Sequence, residues 1–291
     1  MKTKLGFGVF PIFNGIVMVL LAVITAYPLL YVVFASFSDS VQLANCNGAF
    51  LYKPLGFSLK GYRLVFNNPN IAIGYRNTFI YVVLGTAINL LMTTLGAFVL
   101  SRKAFLLKKP LMIMVVITMY FSGGMIPRFL VVNSISIMNT IWALLLPGAI
   151  STWNLIIMRT SFMGIPGELE EAVIIDGAND IQLLFRIIIP LSLPVLAVMT
   201  LFYGVGHWNA WFDAMIYIRN TRLYPLQLFL RDILIMEQLQ DMSSPEAMND
   251  YFNLKLVKYC AIIVSTVPIL CIYPFLQKFF VKGIMVGALK G

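Results

Sequence analysis

Charged and apolar positions are sharply segregated along this chain. Six stretches of 18 or more residues contain no Asp, Glu, Lys or Arg: Leu5–Ser38, Asn77–Ser101, Pro110–Pro127, Phe129–Met158, Ile187–Phe212 and Tyr259–Gln277. A helix needs about 20 mostly apolar residues to cross the hydrocarbon core of a bilayer. The pattern therefore predicts an all-α, polytopic membrane protein with six transmembrane helices.

Turn formers and helix breakers separate the runs. The segment 39–76 carries Asn45, Asn47, Gly48, Pro54, Gly56, Asn67, Asn68 and Pro69, and is read as an external segment. Gly85 and Gly96 in the second run permit close helix contact in lipid. "FSGGMIPRF" should break the third helix near the outer surface, through Gly123, Gly124 and Pro127. The last external segment, 213–256, holds Asp213, Asp232, Glu237, Asp241, Glu246 and Asp250, with a short amphipathic helix predicted in "LFLRDILIMEQLQ". No repeat or low-complexity stretch interrupts the chain, so 1–291 is read as a single domain.

Composition agrees with lipid as the solvent. Of 291 residues, 60% are apolar and 11% charged, where soluble proteins commonly carry about 25% charge. The first run is preceded by Lys2 and Lys4 but is too long for the roughly 7–15-residue core of a signal peptide. It is kept as the first spanning helix, with the mature protein beginning near Met1. The formal net charge is +9, and its placement is more informative than its size. The N-terminal tail, the connection "SRKAFLLKKP" and the tail carrying Lys278, Lys282 and Lys290 hold nine basic residues and no acids. Short basic segments remain cytoplasmic. Six helices put those segments, both termini and the loop between helices four and five on the cytoplasmic side. The basic excess is a topology signal and gives no support to nucleic-acid binding. Cys46, Cys260 and Cys271 have neither disulfide-framework nor metal-ligand spacing.

One segment departs from the apolar, basic background. "EEAVIIDGAND", residues 170–180, packs Glu170, Glu171, Asp176 and Asp180 between two apolar runs. Pro166 suits the first turn of a helix, and Glu168, Glu170 and Glu171 suit the positive end of its dipole. Gly177 can adopt the left-handed conformation that stops a helix, and Asn179 or Asp180 can cap a second one. Pro190 and Pro194 follow just inside the membrane. The prediction is a compact acidic knob on two short helices within a cytoplasmic loop, 160–186. A solvated loop kept in water by its acids is one reading. Leu169, Ala172, Val173, Ile174 and Ile175 are too apolar for that and favour docking into a partner groove.

The knob resembles the signature loop of permease subunits from binding-protein-dependent carbohydrate ABC importers: EAA, three residues, G, nine residues, I-x-L-P. Here Glu171-Ala172-Val173 precedes three residues, Gly177, nine residues and Ile187-Ile188-Ile189-Pro190. Val173 stands for the second Ala and Ile189 for Leu. Asp176-Gly177-Ala178 matches the D-G-A of the carbohydrate branch. "FSGGMIPRFLVVNSISIMNTIWALLLPGAISTWNLIIMRTSF", "GHWNAWFDAMIYI" and "FFVKGIMVGALKG" are similar to its polysaccharide-importing subset, which includes alginate importers.

The resemblance implies the type I importer architecture, in a multi-pass protein of the bacterial cytoplasmic membrane. It also implies that the knob is a coupling helix seated in a cleft of an ATP-hydrolysing subunit. Glu171 would make the polar contact, Ala172 would allow close approach, Gly177 would set the turn and Asp176 would orient the loop. The expected partners are a second homologous permease, two ATP-binding subunits and an extracytoplasmic sugar-binding protein. ATP and Mg would bind those ATPase subunits, and this chain would hold no cofactor of its own. In the tail, Lys282, Gly283, Gly287 and Lys290 match positions that reach the ATPase subunits. A basic membrane anchor fits the same charges.

No phosphate-binding G-x-x-x-x-G-K-[ST] is present, and His207, the sole histidine, lacks sequence-defined catalytic partners. Hence no enzymatic activity is expected of this chain. An ion-coupled secondary transporter is the alternative, weakened because the six runs contain no acid. A structural membrane scaffold is a third class. For a sugar path, aromatic faces and amides inside the helices are candidates. They are Trp153 and Asn154 in the fourth run, and Tyr203, Trp208, Asn209 and Trp211 in the outer half of the fifth. An interfacial aromatic belt accounts for the tryptophans equally well. Asn154 is the stronger candidate, because a mid-helix amide in lipid needs a partner.

Overall fold

A computed structural model describes residues 9–46, 50–102, 105–239 and 245–288, and among these every regular element is helical. The helices are α1 (Val9–Ser36), α2 (Ser40–Asn45), α3 (Lys60–Asn67), α4 (Pro69–Ser101), α5 (Lys108–Tyr120), α6 (Met125–Ser134), α7 (Trp142–Leu145), α8 (Thr152–Met163), α9 (Gly167–Ile175), α10 (Asp180–Leu183), α11 (Ile189–Leu191), α12 (Leu193–Trp208), α13 (Phe212–Tyr217), α14 (Leu226–Leu239) and α15 (Pro245–Ala288). A π turn, Leu184–Ile188, joins α10 to α11, and a 3₁₀ turn spans Thr221–Leu223.

Three helical stretches are long and apolar enough to cross a membrane by themselves: Phe10–Ser36, Pro69–Ser101 and Asp250–Ile272. Two more candidates are bent pairs. The pair α5–α6 bends by 116° across residues 121–124, where Gly124 has φ +84° and ψ −179°. That region is essentially open to glycine alone, so the predicted break falls where "SGG" put it. The pair formed by Asp180–Leu191 and α12 bends by 84°. Pro190 has no N–H for the Arg186 carbonyl, and the backbone there widens into the π turn, closed by the Ile189 N–H on Leu184 O. Pro194 follows at the first turn of α12, where a missing N–H costs nothing. The fourth charge-free run, Phe129–Met158, is divided among α6, α7 and α8 instead of forming one helix.

The chain separates into two compact units. The first comprises 1–69 and 230–267. Within it α1 faces outward along its apolar length, as a lipid-facing helix should. Asp39 caps α2 by accepting the Val41 and Gln42 N–H groups. Gly61 brings α3 against α15: a Cβ there would meet Cys260 Sγ and Leu256. The Cys260 thiol donates to the Ser36 carbonyl, and Ser36 Oγ lies 2.8 Å from the Tyr62 hydroxyl. The expected amphipathic helix of the last polar segment is α14.

The second unit comprises 70–229 and 268–291. Its core is made by Ala97 of α4, Leu155, Met158 and Phe162 of α8, Leu183 of α10, Ile188 and Met199. Three buried polar side chains at the start of α4 are satisfied by backbone elsewhere in the unit. The Asn77 amide donates to Arg222 O (2.7 Å) and Tyr224 O (3.0 Å), the Tyr81 hydroxyl donates to Leu223 O (2.7 Å), and Thr78 Oγ1 accepts the Leu226 N–H (2.9 Å). Hydrogen bonds of this kind contribute about 0.5–1.5 kcal/mol each. Lower in α4, Asn89 Oδ1 accepts the His207 Nε2–H (2.6 Å), and Asn89 donates its Nδ2 to Gly148 O (2.6 Å). His207 is thus a half-buried packing residue that fits only because Gly85 has no side chain; a Cβ there would run into the imidazole.

Candidate functional site

The acidic segment folds as the helix–break–helix that its residues predict. Pro166 lies one residue before α9 and its carbonyl accepts the Leu169 N–H (3.2 Å). Glu168 and Glu170 fall in the first turn, where the helix dipole favours negative charge. Gly177 ends α9 with φ +79°. The Ala178 N–H reaches back to Val173 O (3.1 Å), the long bond of a Schellman cap. Asn179 then opens α10. Its side chain accepts the Gln182 N–H (2.9 Å), while Gln182 Oε1 accepts the Asn179 N–H (3.1 Å). Of the two candidate caps the structure selects Asn179, in a full capping box.

The helix α9 has two distinct faces. Glu170 and Val173, three residues apart, point into the protein: Val173 packs on the core and Glu170 pairs with Arg102 at the end of α4. Glu168, Glu171, Ala172 and Ile175 follow the i, i+3, i+4, i+7 spacing of a single helical stripe, and all are exposed. Ile175 is 84% exposed, and Ile181 and Phe185 just beyond the turn are 68% and 55% exposed. Asp176 and Gly177 lie exposed between them, with Ala178 half-buried. Exposed apolar patches of this kind are typical of surfaces that contact a protein or a membrane.

Arg102 was legible in the sequence only as part of a basic topology signal. In the structure its guanidinium lies over the Phe98 ring (4.7 Å to the centroid) and donates to Ser101 Oγ through Nε (3.2 Å) and Nη2 (3.1 Å). Arg159 of α8 donates its Nε to Leu100 O (2.9 Å) at the same end of α4. Lys282, Gly283 and Gly287 lie in the helical backbone of α15, and Lys290 falls outside the described residues.

A cavity of about 980 Å³ lies within the second unit, between α4, α8, α12 and Ile269 and Ile272 of α15. Its lining includes Trp153, Asn154 and Trp208 of the predicted sugar-path residues, together with Thr86. Asn154 is buried at the first turn of α8, whose cap is Ser151. Trp153 is 58% exposed, and Trp208 packs edge-on against Tyr75. The Thr86 hydroxyl is buried with no hydrogen-bond partner among the described residues. Most of the remaining lining is aliphatic, with Thr200 a further polar side chain. Tyr203, Asn209 and Trp211 are not in the lining. The Tyr203 hydroxyl is 2.7 Å from Thr93 Oγ1 and accepts the Ser151 N–H (3.2 Å), which makes it a strut between α4 and the start of α8. Asn209 caps the end of α12, and Trp211 packs edge-on against Phe212. Among the described residues no cluster of His, Cys, Asp or Glu could hold a metal ion.

No protein-family model matches the chain. Individual relatives match it along nearly its whole length. The polygalacturonan/rhamnogalacturonan transport system permease protein YtcP of Bacillus subtilis is 39% identical over 275 residues, covering 94% of this chain and 96% of the relative. Protein LplC of the same organism is 39% identical over 290 residues, 100% of this chain and 97% of the relative. Among solved structures, a chain of a bacterial ABC transporter involved in the import of the acidic polysaccharide alginate superposes with a TM-score of 0.85. It is 29% identical, and the match covers 94% of this chain and 96% of that one.

Proposed function

Since the chain belongs to the family of sugar ABC importer permeases, we propose that it is the transmembrane subunit through which ATP hydrolysis on partner proteins drives oligosaccharide import. The observation that carries this reading is the exposed stripe of α9. Glu168, Glu171, Ala172 and Ile175 form a carboxylate-edged apolar ridge, extended by Ile181 and Phe185. Such a ridge suits insertion into a cleft on a folded, water-soluble partner. The partner is an ATP-binding subunit, which holds the ATP and Mg. Glu171 contacts it at the rim, Ala172 permits close approach, Gly177 sets the turn, Asp176 and Ala178 shape the loop, and Pro190 fixes the exit toward α12.

Closure of two ATPase subunits on ATP moves the ridge as a rigid body, and the attached helices tilt to switch cavity access from one side to the other. In this arrangement both termini and the ridge are cytoplasmic, in a bacterial cytoplasmic membrane. Segments 39–76 and 213–256 meet an extracytoplasmic sugar-binding protein. Lys282, Gly283, Gly287 and Lys290 of the tail reach the ATPase subunits.

The cavity supports a shared sugar path. Trp153 and Trp208 offer aromatic faces, while Asn154 and Thr86 are among its few polar side chains. A sugar carries many hydroxyls, and burying one without a partner costs about 1–3 kcal/mol. This lining is too apolar to hold an oligosaccharide unaided, so a second permease supplies most of the hydrogen bonds. The relatives named for polygalacturonan/rhamnogalacturonan transport and for import of the acidic polysaccharide alginate favour acidic oligosaccharides as cargo. The test is uptake by the purified complex in proteoliposomes, offered labelled oligogalacturonides, alginate oligomers or neutral arabino-oligosaccharides. ATP-dependent uptake of one acidic class is expected. Uptake driven by an ion gradient without ATP would overturn the reading.

A further inference from the structure

The ridge of α9 must pass its motion to the membrane helices, and the Arg102–Glu170 pair is a polar clasp suited to that task. We propose that Arg102 is a positioning residue that locks α9 to the end of α4, so that displacement of the ridge moves α4 and the cavity wall with it. This rests on the coupling role proposed for α9.

Three features separate the Arg102–Glu170 pair from an ordinary surface ion pair. First, the guanidinium is held on several sides. Its Cζ lies over the Phe98 ring, Nε and Nη2 donate to Ser101 Oγ, and Nη1 meets Glu170 Oε1. Ser101 is itself fixed by donating to Phe98 O (2.7 Å). An arginine anchored in this way loses little further freedom on pairing. Second, both partners are largely shielded, with side chains 15% and 24% exposed, which weakens the screening that makes surface pairs worth little. Third, the pair sits where elements converge. Arg159 of α8 donates to Leu100 O, two residues from Arg102, and Val173 of α9 packs on the core near Glu170.

The clasp leaves the exposed stripe untouched. Glu170 faces inward and Glu171 outward, so adjacent glutamates serve different surfaces: one holds α9 to its own chain, the other is free for a partner. From Arg102, α4 runs without interruption to Thr86, Val83 and Val82 in the cavity lining. A push on α9 therefore reaches the cavity along one helix.

The test uses the complete complex in nanodiscs. A single cysteine replaces Val83 after Cys46, Cys260 and Cys271 are changed to serine, and its reactivity toward a maleimide probe is compared with and without ATP and vanadate. Arg102→Glu should retain the ATPase subunit on the complex and continue to hydrolyse ATP. It should lose the ATP-dependent change in Val83→Cys labelling. The swapped pair, Arg102→Glu with Glu170→Arg, should restore that change to at least half its original size. Loss of the ATPase subunit in Arg102→Glu would overturn the inference by giving Arg102 a docking role. So would a persistent labelling change in Arg102→Glu, or a swapped pair that rescues nothing. If the unsubstituted complex carries no ATPase subunit, the coupling role of α9 fails and the inference falls with it.

Discussion

Gly177 offers a quantitative test of how the ridge is built. Its φ of +79° lies in the left-handed region, and a Cβ at this position would meet no heavy atom within 4 Å. Substitution there introduces no collision, so the cost is conformational alone. A left-handed L-residue costs about 1–2 kcal/mol, partly offset by about 0.4–1 kcal/mol from the stiffer unfolded chain. Gly177→Ala should therefore loosen the α9–α10 turn by about 1 kcal/mol, and local opening should rise roughly fivefold. Gly177→Asn should behave close to the parent, because Asn tolerates the left-handed region. Hydrogen–deuterium exchange on the complex in nanodiscs reads this directly at two amides. The Ala178 N–H is bonded to Val173 O, and the Gln182 N–H to Asn179 Oδ1. Equal acceleration in the Ala and Asn variants would refute the reasoning, since side-chain bulk would then matter and backbone handedness would not. Unchanged exchange in the Ala variant would refute it as well.

Other positions separate packing from transport. Gly85→Ala forces a Cβ into the His207 ring, which Asn89 holds at 2.6 Å; overpacking of this kind costs about 1–3 kcal/mol, and thermal unfolding of the detergent-solubilised complex should shift downward by several degrees. Tyr203→Phe removes the hydroxyl shared by Thr93 and the Ser151 N–H. It should lower stability by about 1–3 kcal/mol and leave the KM for uptake unchanged. Asn154→Ala, which alters the cavity lining, should raise the KM about 2–10-fold, equivalent to one lost hydrogen bond. A Tyr203→Phe effect on KM as large as that of Asn154→Ala would place the tyrosine on the sugar path.

Local features of the fold could be read from the sequence because they depend on neighbouring residues. Gly124 and Gly177 adopt positive φ at the breaks expected of them, and Asn179 caps the helix it precedes. The signature spacing located the segment, and the apolar Leu169, Ala172, Val173, Ile174 and Ile175 among its acids suggested docking. The run Phe129–Met158 was less transparent. An absence of charge speaks for burial or lipid contact but not for helical continuity. There Ser136 and Asn139 take positive φ (58° and 59°), and Pro147-Gly148 forms a further turn. Contacts between distant segments were not legible. Arg102 looked like any basic residue near a membrane face, and only the fold brings it to Glu170. Tyr203 has sugar-binding chemistry by type, yet its hydroxyl bridges Thr93 and Ser151. Asn89 is a mid-run amide that needs a partner, yet nothing near it in the chain points to His207 or Gly148.

The most direct test of the coupling role is co-purification from native membranes in mild detergent, comparing the unaltered chain with a Glu171→Lys, Gly177→Leu double variant. The parent chain should bring down an ATP-binding subunit and a second permease. The variant reverses the charge at the exposed stripe and strains the turn, so it should retain the second permease and lose the ATP-binding subunit. Recovery of the ATP-binding subunit in equal amounts with both chains, or with neither, would contradict a coupling role for α9.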